Sequence, residues 1–182
     1  DEVDELLKRL RKLVDEVRKE NDKMVKESKR LVEDLRDHMV LHEYVNAAGI
    51  TELEKILKDT EDKDTLRKIV EEIKRRLRRL LEELKRIIEK ALRDNKKLLD
   101  EVRKRNKEIS DELRRLLEEI RRRNVRVEDI EREAERLLRE NEELLRRSEE
   151  VIRRSTEKIK KVLRDAEERA REILKRVEDA AK

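Results

Sequence analysis

The fold is decided by residues 3–35, which read VDELLKRLRKLVDEVRKENDKMVKESKRLVEDL. Inward positions recur every seven residues along two lines of this stretch. The first line holds Val3, Leu10, Val17, Met24 and Leu31, and the second holds Leu7, Val14, Asn21, Ser28 and Leu35. A seven-residue repeat is typical of a helix that packs lengthwise against other helices. We therefore expect this stretch to form a long amphipathic helix within a bundle.

The composition extends this prediction to the whole chain. Of its 182 residues, 56% are charged, 35% are hydrophobic and 1% are aromatic, with one glycine and no proline. Apolar residues keep helical spacing from 3 to 57, from 66 to 120 and from 127 to 180. Because strand-rich folds need glycine and proline in their turns, the fold class is all-α. Strong helix formers on every exposed face also indicate a designed sequence.

Two short breaks in the apolar rhythm, at residues 59–63 and 123–126, divide the chain. They predict a single-chain antiparallel bundle of three long helices, at about 2–58, 64–123 and 128–181. The side chains that could cap helices in these breaks are Thr60, Asp62 and Asp64 in the first and Asn124 in the second. We expect residues 1–182 to form one rod-like domain.

Positive and negative charges are interleaved along the chain. The 53 Lys and Arg residues and 49 Asp and Glu residues give a formal net charge of +4. Acidic pairs flank the basic stretch 74–79, so we expect a solvated face there and no nucleic-acid partner. No apolar run approaches the roughly 18 residues of a membrane span, and there is no cysteine. We expect a soluble protein with no natural compartment, cytoplasmic on recombinant expression, that needs no cofactor and takes no small-molecule substrate.

Polar residues occupy inward positions on all three predicted helices. The set is Asn21, Ser28, Asn95, Asn106, Ser110, Asn141, Ser148 and Ser155. Antiparallel packing puts Ser28 level with Asn95 and with Ser155 or Thr156. It also puts Ser110 level with Asn141. We expect buried hydrogen-bond networks that fix register and partner choice, although some of these side chains could instead point to solvent.

Residues 36–51, which read RDHMVLHEYVNAAGIT, differ from the rest of the chain. They contain both histidines, the only aromatic residue (Tyr44) and the only glycine (Gly49). Several of these residues have low helix propensity, and residues 39–46 alternate in polarity like a strand with one buried face. A stretch whose local preference conflicts with its helical surroundings indicates bistability or a functional graft.

The line of inward positions along the first helix, which we call the helical seam, nevertheless continues through the segment. Continuing it places His38, His42, Val45 and Gly49 inward, flanked by Met39, Leu41 and Ala48, and leaves Val40, Tyr44 and Ala47 facing solvent. The helical repeat resumes with Leu53 and Ile56. We therefore expect the flanking helix to hold this segment in helical form.

Residue for residue, the segment resembles the eleventh β-strand of green fluorescent protein as used in split-protein complementation. The matching positions are Arg36, Asp37, His38, Met39, Val40, Leu41, His42, Glu43, Tyr44, Val45, Asn46, Ala47, Ala48, Gly49, Ile50 and Thr51. The resemblance implies a partner, the truncated barrel of strands one to ten, which binds the segment as a strand and then fluoresces.

The resemblance also implies roles for single residues. Glu43 looks like the carboxylate that faces the chromophore. Met39, Leu41 and Val45 look like its inward neighbours, while His42, Tyr44 and Asn46 look like outward positions. The chromophore-forming residues are absent, so we do not expect this chain to fluoresce alone.

Other interpretations of the segment are weaker. His38 and His42 have an i,i+4 spacing that zinc could use, but no companion ligand has the spacing of a known site. His42 and Glu43 could exchange protons, but they lack a nucleophile and a pocket. We therefore expect neither a metal site nor an enzyme.

The sequence is similar to the latch-cage-key class of designed helical switches. In that interpretation residues 1–58 are the latch-like helix carrying the segment, residues 64–182 are a two-helix cage, and a key helix resembling the first helix displaces the latch. Buried Asn21 and Ser28 would weaken the latch, so replacing either by Leu is expected to tighten it. The alternative is a structural or heterodimerising bundle, three helices awaiting one more, that carries the segment as a passive tag.

Overall fold

The computed structural model describes residues 2–38, 44–46, 48–123 and 128–182, without the side chains of Val3, His38 and Asp129. The described part of the chain contains four long or medium helices. They are α1 (Glu2–His38), α2 (Ile50–Asp59), α3 (Lys63–Arg122) and α4 (Glu128–Ala180), and residues 44–46 are also helical. The all-α prediction is confirmed, and α3 and α4 begin and end within two residues of the expected bounds.

The structure differs from the predicted first helix at Gly49. Ala48 and Gly49 form a turn, and α2 begins at the next residue. Gly49 has φ 72° and ψ 14°, in the left-handed region that glycine adopts without the steric cost of a Cβ. The repeat predicts Gly49 as an inward residue of a continuous helix through residue 58, whereas Gly49 is a turn residue between helical residues 44–46 and α2. Glycine is the usual residue at the end of a helix for this reason.

The break between α2 and α3 is a capped turn. Thr60 ends α2, and its backbone N–H donates to the carbonyl of Leu57. Asp62 precedes α3 and accepts a 2.6 Å hydrogen bond on its carboxylate from the Thr65 hydroxyl. That bond, together with backbone N–H groups of Thr65 and Asp64, lowers the pKa of Asp62. Asp62 is therefore the expected N-terminal cap that the helix uses, while Asn124 lies outside the described residues.

The first of two compact units consists of Asp1–Arg30 and Asp94–Ser155. We call it unit 1. It contains the first part of α1, the second half of α3 and the first half of α4. Its apolar core joins residues of all three helices: Leu10, Val14, Val17, Ile109, Leu113, Leu116, Leu117, Ile120, Ala134 and Leu137. Asn21 of α1 bonds to Asn106 of α3, and Ser28, later on α1, bonds to Asn95, earlier on α3, so these helices are antiparallel. The bonds from Asn141 to Ser110 and from Asn95 to Ile152 show the same for α3 and α4.

The second compact unit, unit 2, consists of Leu31–Arg93 and Thr156–Lys182. Its larger apolar cluster is built from Val45, Ile50, Leu57, Ile69, Val70, Ile73, Leu77, Leu80, Leu84, Ala166, Ala170, Ile173 and Val177. A smaller cluster holds Val32, Leu35, Ile88, Ala91 and Ile159. Burial of each large aliphatic side chain contributes about 1.5–3 kcal/mol. Apolar packing therefore holds α2 against α3 and α4.

The helix surfaces carry many ion pairs between Arg or Lys and Asp or Glu. Several join residues three or four apart on one helix, as Arg75 and Glu72 do. Exposed pairs of this kind each contribute roughly 0–1 kcal/mol, so they add little to the stability of the fold. Within the described ranges, no helix combines the length and the apolar run needed to cross a bilayer.

Candidate functional site

The segment 36–51 is described at both of its ends. Arg36 and Asp37 are exposed on the last turn of α1, which ends at His38. Met39, Val40, Leu41, His42, Glu43 and Ala47 lie outside the described residues, as does the side chain of His38. The expected roles of those residues stay predictions. Among the residues that are described, no three His, Cys, Asp or Glu side chains come together as a metal site would need.

The second half of the segment packs on the core of unit 2. Val45 is 6% exposed and Ile50 is fully buried, and both belong to the same apolar cluster. Tyr44 is partly buried against that cluster, where the seam predicted a solvent-facing side chain. Asn46 is exposed. The core of unit 2 therefore holds Tyr44 and Val45 of the helical residues 44–46, and Ile50, the residue that starts α2.

The turn at Gly49 is closed by local hydrogen bonds. The N–H of Ala48 donates to the carbonyl of Tyr44 at 2.9 Å, and the N–H of Gly49 donates to the carbonyl of Asn46 at 3.0 Å. The carbonyl of Gly49 then accepts from the N–H of Leu53 at 3.1 Å, which starts α2. One left-handed residue thus ends one helical turn and begins the next helix, a joint that we call the Gly49 joint.

Arg76 of α3 contacts the Gly49 joint directly. Its Nη1 donates a 2.9 Å hydrogen bond to the carbonyl of Ala48. Its Nε donates at 3.0 Å to Glu72, and this bond, with the charges of Arg75, Arg76 and Arg79, lowers the pKa of Glu72. A Cβ on residue 49 would lie 2.7 Å from Arg76 Nη1. The guanidinium therefore occupies the space that glycine leaves and satisfies a carbonyl beside the turn.

Two further contacts hold α2 in unit 2. Leu57 is 2% exposed in the same cluster as Val45. Arg176 of α4 donates to both carboxylate oxygens of Glu54, at 3.1 and 2.9 Å. A two-point pair between a guanidinium and a carboxylate fixes orientation as well as distance. The segment is thus followed by a helix with its own apolar and polar anchors.

All eight predicted inward polar residues are buried, and every one of them lies in unit 1. The buried polar side chains of the described chain are Asn21, Ser28, Asn95, Asn106, Ser110, Asn141, Ser148 and Ser155. Asn21 and Asn106 exchange two side-chain hydrogen bonds: Asn21 Nδ2 donates at 3.2 Å and Asn106 Nδ2 donates back at 2.9 Å. Asn106 Nδ2 also reaches the carbonyl of Val102 at 2.6 Å.

Four of the other six buried polar residues form two more groups. The hydroxyl of Ser28 donates to Asn95 Oδ1 at 2.5 Å, and Asn95 Nδ2 donates to the carbonyl of Ile152 at 3.0 Å. Asn141 Nδ2 donates to Ser110 Oγ at 2.8 Å and to the carbonyl of Asn106 at 3.0 Å. Ser155 donates to the carbonyl of Val151 one turn earlier. Within the described residues, Asn141 Oδ1 is buried without a hydrogen-bond donor.

The reciprocal Asn21–Asn106 pair changes the expectation for a leucine at position 21. An apolar residue there removes both amide bonds and leaves the buried Asn106 side chain with only the Val102 carbonyl. An unsatisfied buried polar group costs about 1–3 kcal/mol, which opposes the gain from a leucine in the seam. A tighter first helix therefore requires replacing both partners, not Asn21 alone.

Comparison with known proteins bears on the fold. No protein-family model matches the chain, and no curated protein matches it. A solved structure described as a computationally designed three-helix bundle is similar, with a TM-score of 0.57 and 18% sequence identity. The similarity covers 100% of this chain and 89% of that one. At this level of identity the similarity concerns the fold, and the chain is an all-α protein with a three-helix-bundle fold.

Proposed function

We propose that this chain is a designed protein switch. It sequesters residues 36–51, a strand-eleven peptide of split green fluorescent protein, in helical form, and it releases them to the ten-strand barrel fragment when the first helix is displaced. The uniform helix-forming composition and the likeness to a designed bundle support a designed origin. The foreign composition of the segment supports a role for it that the fold itself does not need.

The observation that carries this proposal is the shared burial of Val45 and Ile50 in the core of unit 2. Residues 44–46 are helical there, and α2 follows. In a strand, side chains alternate between two faces, and the backbone edges must be free to pair with the barrel. Val45 and Ile50 would have to leave this core, at a cost of about 1.5–3 kcal/mol each.

The two conformations of the segment also differ in length. As a helix its residues would span roughly 24 Å, and as a strand roughly 53 Å. Helical packing and barrel binding therefore exclude each other, and opening must precede or accompany capture. To raise the open fraction from about 1% to about 99%, a displacing helix must bind the open state about 5.5 kcal/mol more favourably than the closed state.

The direct test mixes the chain with the truncated barrel and follows the growth of fluorescence. Three samples are compared: the chain alone, the chain with a peptide of residues 2–35, and an isolated peptide of residues 36–51 at equal concentration. We expect the isolated segment to complement fast, the chain alone to complement slowly, and the added helix to accelerate the chain. If the chain alone matches the isolated segment, the proposal is wrong.

A second candidate function is a helical bundle that docks one more helix and carries the segment as a tag. A groove of unit 2 favours it, since half-buried Leu81 of α3 and Leu174 of α4 line its floor between charged edges. A passive tag would complement the barrel at the same rate with or without the peptide of residues 2–35. The three-sample assay therefore separates the two functions.

A further inference from the structure

The α3–α4 face of unit 1 presents a buried amide to α1. Asn106 is 1% exposed and exchanges two hydrogen bonds with Asn21. Val17 and Val102 in the same unit are fully buried. Asn106 Nδ2 also donates to the Val102 carbonyl, but among the described bonds only Asn21 donates to Asn106 Oδ1. Asparagine fits this position because its side chain can donate and accept at the same time.

A second polar contact lies seven residues further along α1. Ser28 donates to Asn95 Oδ1 at 2.5 Å, in the same seam as the asparagine pair. Asn21 and Ser28 are both buried, and the apolar residues Val14 and Val17, which precede them on α1, are buried as well. The face of α3 therefore matches a helix with Asn and Ser spaced by seven residues.

Charges on one flank of this face add orientation. Glu133 and Glu140 of α4, seven residues apart, pair with Arg11 and Arg18 of α1, which are also seven apart. A helix lying in the opposite direction would present other residues to these carboxylates. Exposed pairs contribute little energy, so we expect them to set the direction in which a partner helix lies. The Asn106 amide would then decide which helix binds.

We propose that unit 1 selects its partner helix through Asn106. The fitting partner is an amphipathic helix with Asn and Ser seven residues apart in an apolar seam and two Arg at the same spacing on one flank. A helix with Leu in place of the Asn is rejected, because it leaves the Asn106 amide without its partner. This inference rests on the proposed function, because the α3–α4 face of unit 1 can take a partner helix only after α1 has been displaced from it.

The test uses two full-length hosts and two peptides. The hosts carry N21L or N106L, so that in each the resident α1 is mismatched at the buried pair. The peptides are residues 2–30 with the native Asn21 and the same residues with N21L, each with a fluorescent label at its N-terminus. Binding is measured by fluorescence anisotropy without any barrel, and circular dichroism checks that both hosts remain helical. In a separate measurement, the truncated barrel is added to each host with its preferred peptide and the growth of fluorescence is followed.

We expect the order of the two peptides to reverse between hosts. The N21L host keeps Asn106 and should bind the Asn peptide about ten-fold more tightly than the Leu peptide, and the N106L host should show the opposite preference. If both hosts prefer the Leu peptide, or neither host binds either peptide, the inference is wrong. A reversal with no effect of the preferred peptide on barrel fluorescence would instead refute the proposed function and leave this selection intact.

Discussion

Unit 1 and unit 2 use different means to hold the same kind of helices. All eight buried polar side chains of the described residues lie in unit 1, where asparagines and serines bond across helices. The buried side chains of unit 2 are apolar, and its backbone contains a left-handed residue, Gly49. Directional hydrogen bonds favour one partner and one register, whereas apolar packing accepts many shapes.

This difference suits a chain that carries a segment with a second role. Under the proposed function, residues 36–51 must also serve as a barrel strand, so their contacts within the bundle must be ones that a strand sequence allows. Val45 and Ile50 supply apolar contacts of that kind. Unit 1 would be free of this constraint, and it carries the buried polar contacts between helices.

The largest effect is expected from a matched pair of substitutions, one in the apolar core of each unit. Ile73 and Ile109 lie on α3, one in the core of each unit, and both are nearly fully buried. Changing either to Ala should lower the free energy of unfolding by about 2–5 kcal/mol, measured by denaturant titration. Only Ile73→Ala should markedly accelerate complementation of the truncated barrel. Equal acceleration by both variants would mean that the segment escapes by global unfolding.

The next effect tests the asparagine pair of unit 1. Asn21→Leu alone should lower the free energy of unfolding by about 1–3 kcal/mol, because Asn106 stays buried without its amide partner. The double change to Leu at both positions should restore stability to the parent value or raise it. The free energies of unfolding of the parent, the variants Asn21→Leu and Asn106→Leu, and the double variant give the coupling energy. A single variant more stable than the parent would contradict the reciprocal pairing.

A smaller effect is expected at the Gly49 joint of unit 2. Arg76→Ala removes the hydrogen bond to the Ala48 carbonyl and should cost about 1 kcal/mol. It should also speed barrel complementation several-fold, since the end of the segment loses its contact with α3. Arg75→Ala is the matched control, because Arg75 pairs with the same Glu72 yet forms no described bond to the joint. Identical complementation rates for the two variants would rule out this role for Arg76.

The smallest effect is a pH dependence at Glu72. The hydrogen bond from Arg76 lowers its pKa below the ordinary 4.5, so its contribution to stability is present above pH 4.5. That contribution is lost as the pH falls through the lowered pKa. We expect the parent to lose more stability than Glu72→Gln between pH 5 and about pH 3. Thermal unfolding at several pH values measures this, and parallel curves for the two proteins would show that the carboxylate contributes nothing.

The helical spacing of inward residues is enough to predict α3 and α4 and to single out the polar positions that prove to be buried. Both follow from which residues share one face of a helix, which is a local property. The repeat also places Ser28 level with Asn95 and Ser110 level with Asn141, the pairs that the structure joins. The roles of these residues in register and partner choice stay predictions.

The Asn21–Asn106 pair and the Gly49 joint depend on more than the repeat. The repeat does not predict that Asn21 lies level with Asn106, because a shift of one helical turn changes which residues meet. The Arg76 contact depends on a carbonyl beside a left-handed residue, and no spacing of side chains encodes it. The one available signal was Gly49 itself, since a lone glycine among strong helix formers indicates a helix end.

Tyr44 is the only aromatic residue of the chain, and it lies partly buried against the core of unit 2. Its ultraviolet emission therefore arises from one place in the molecule, inside the embedded segment. Adding an unlabelled helix that contains no aromatic residue would leave this optical background unchanged. The chain thus has an intrinsic spectroscopic probe of segment opening, usable before any barrel is added.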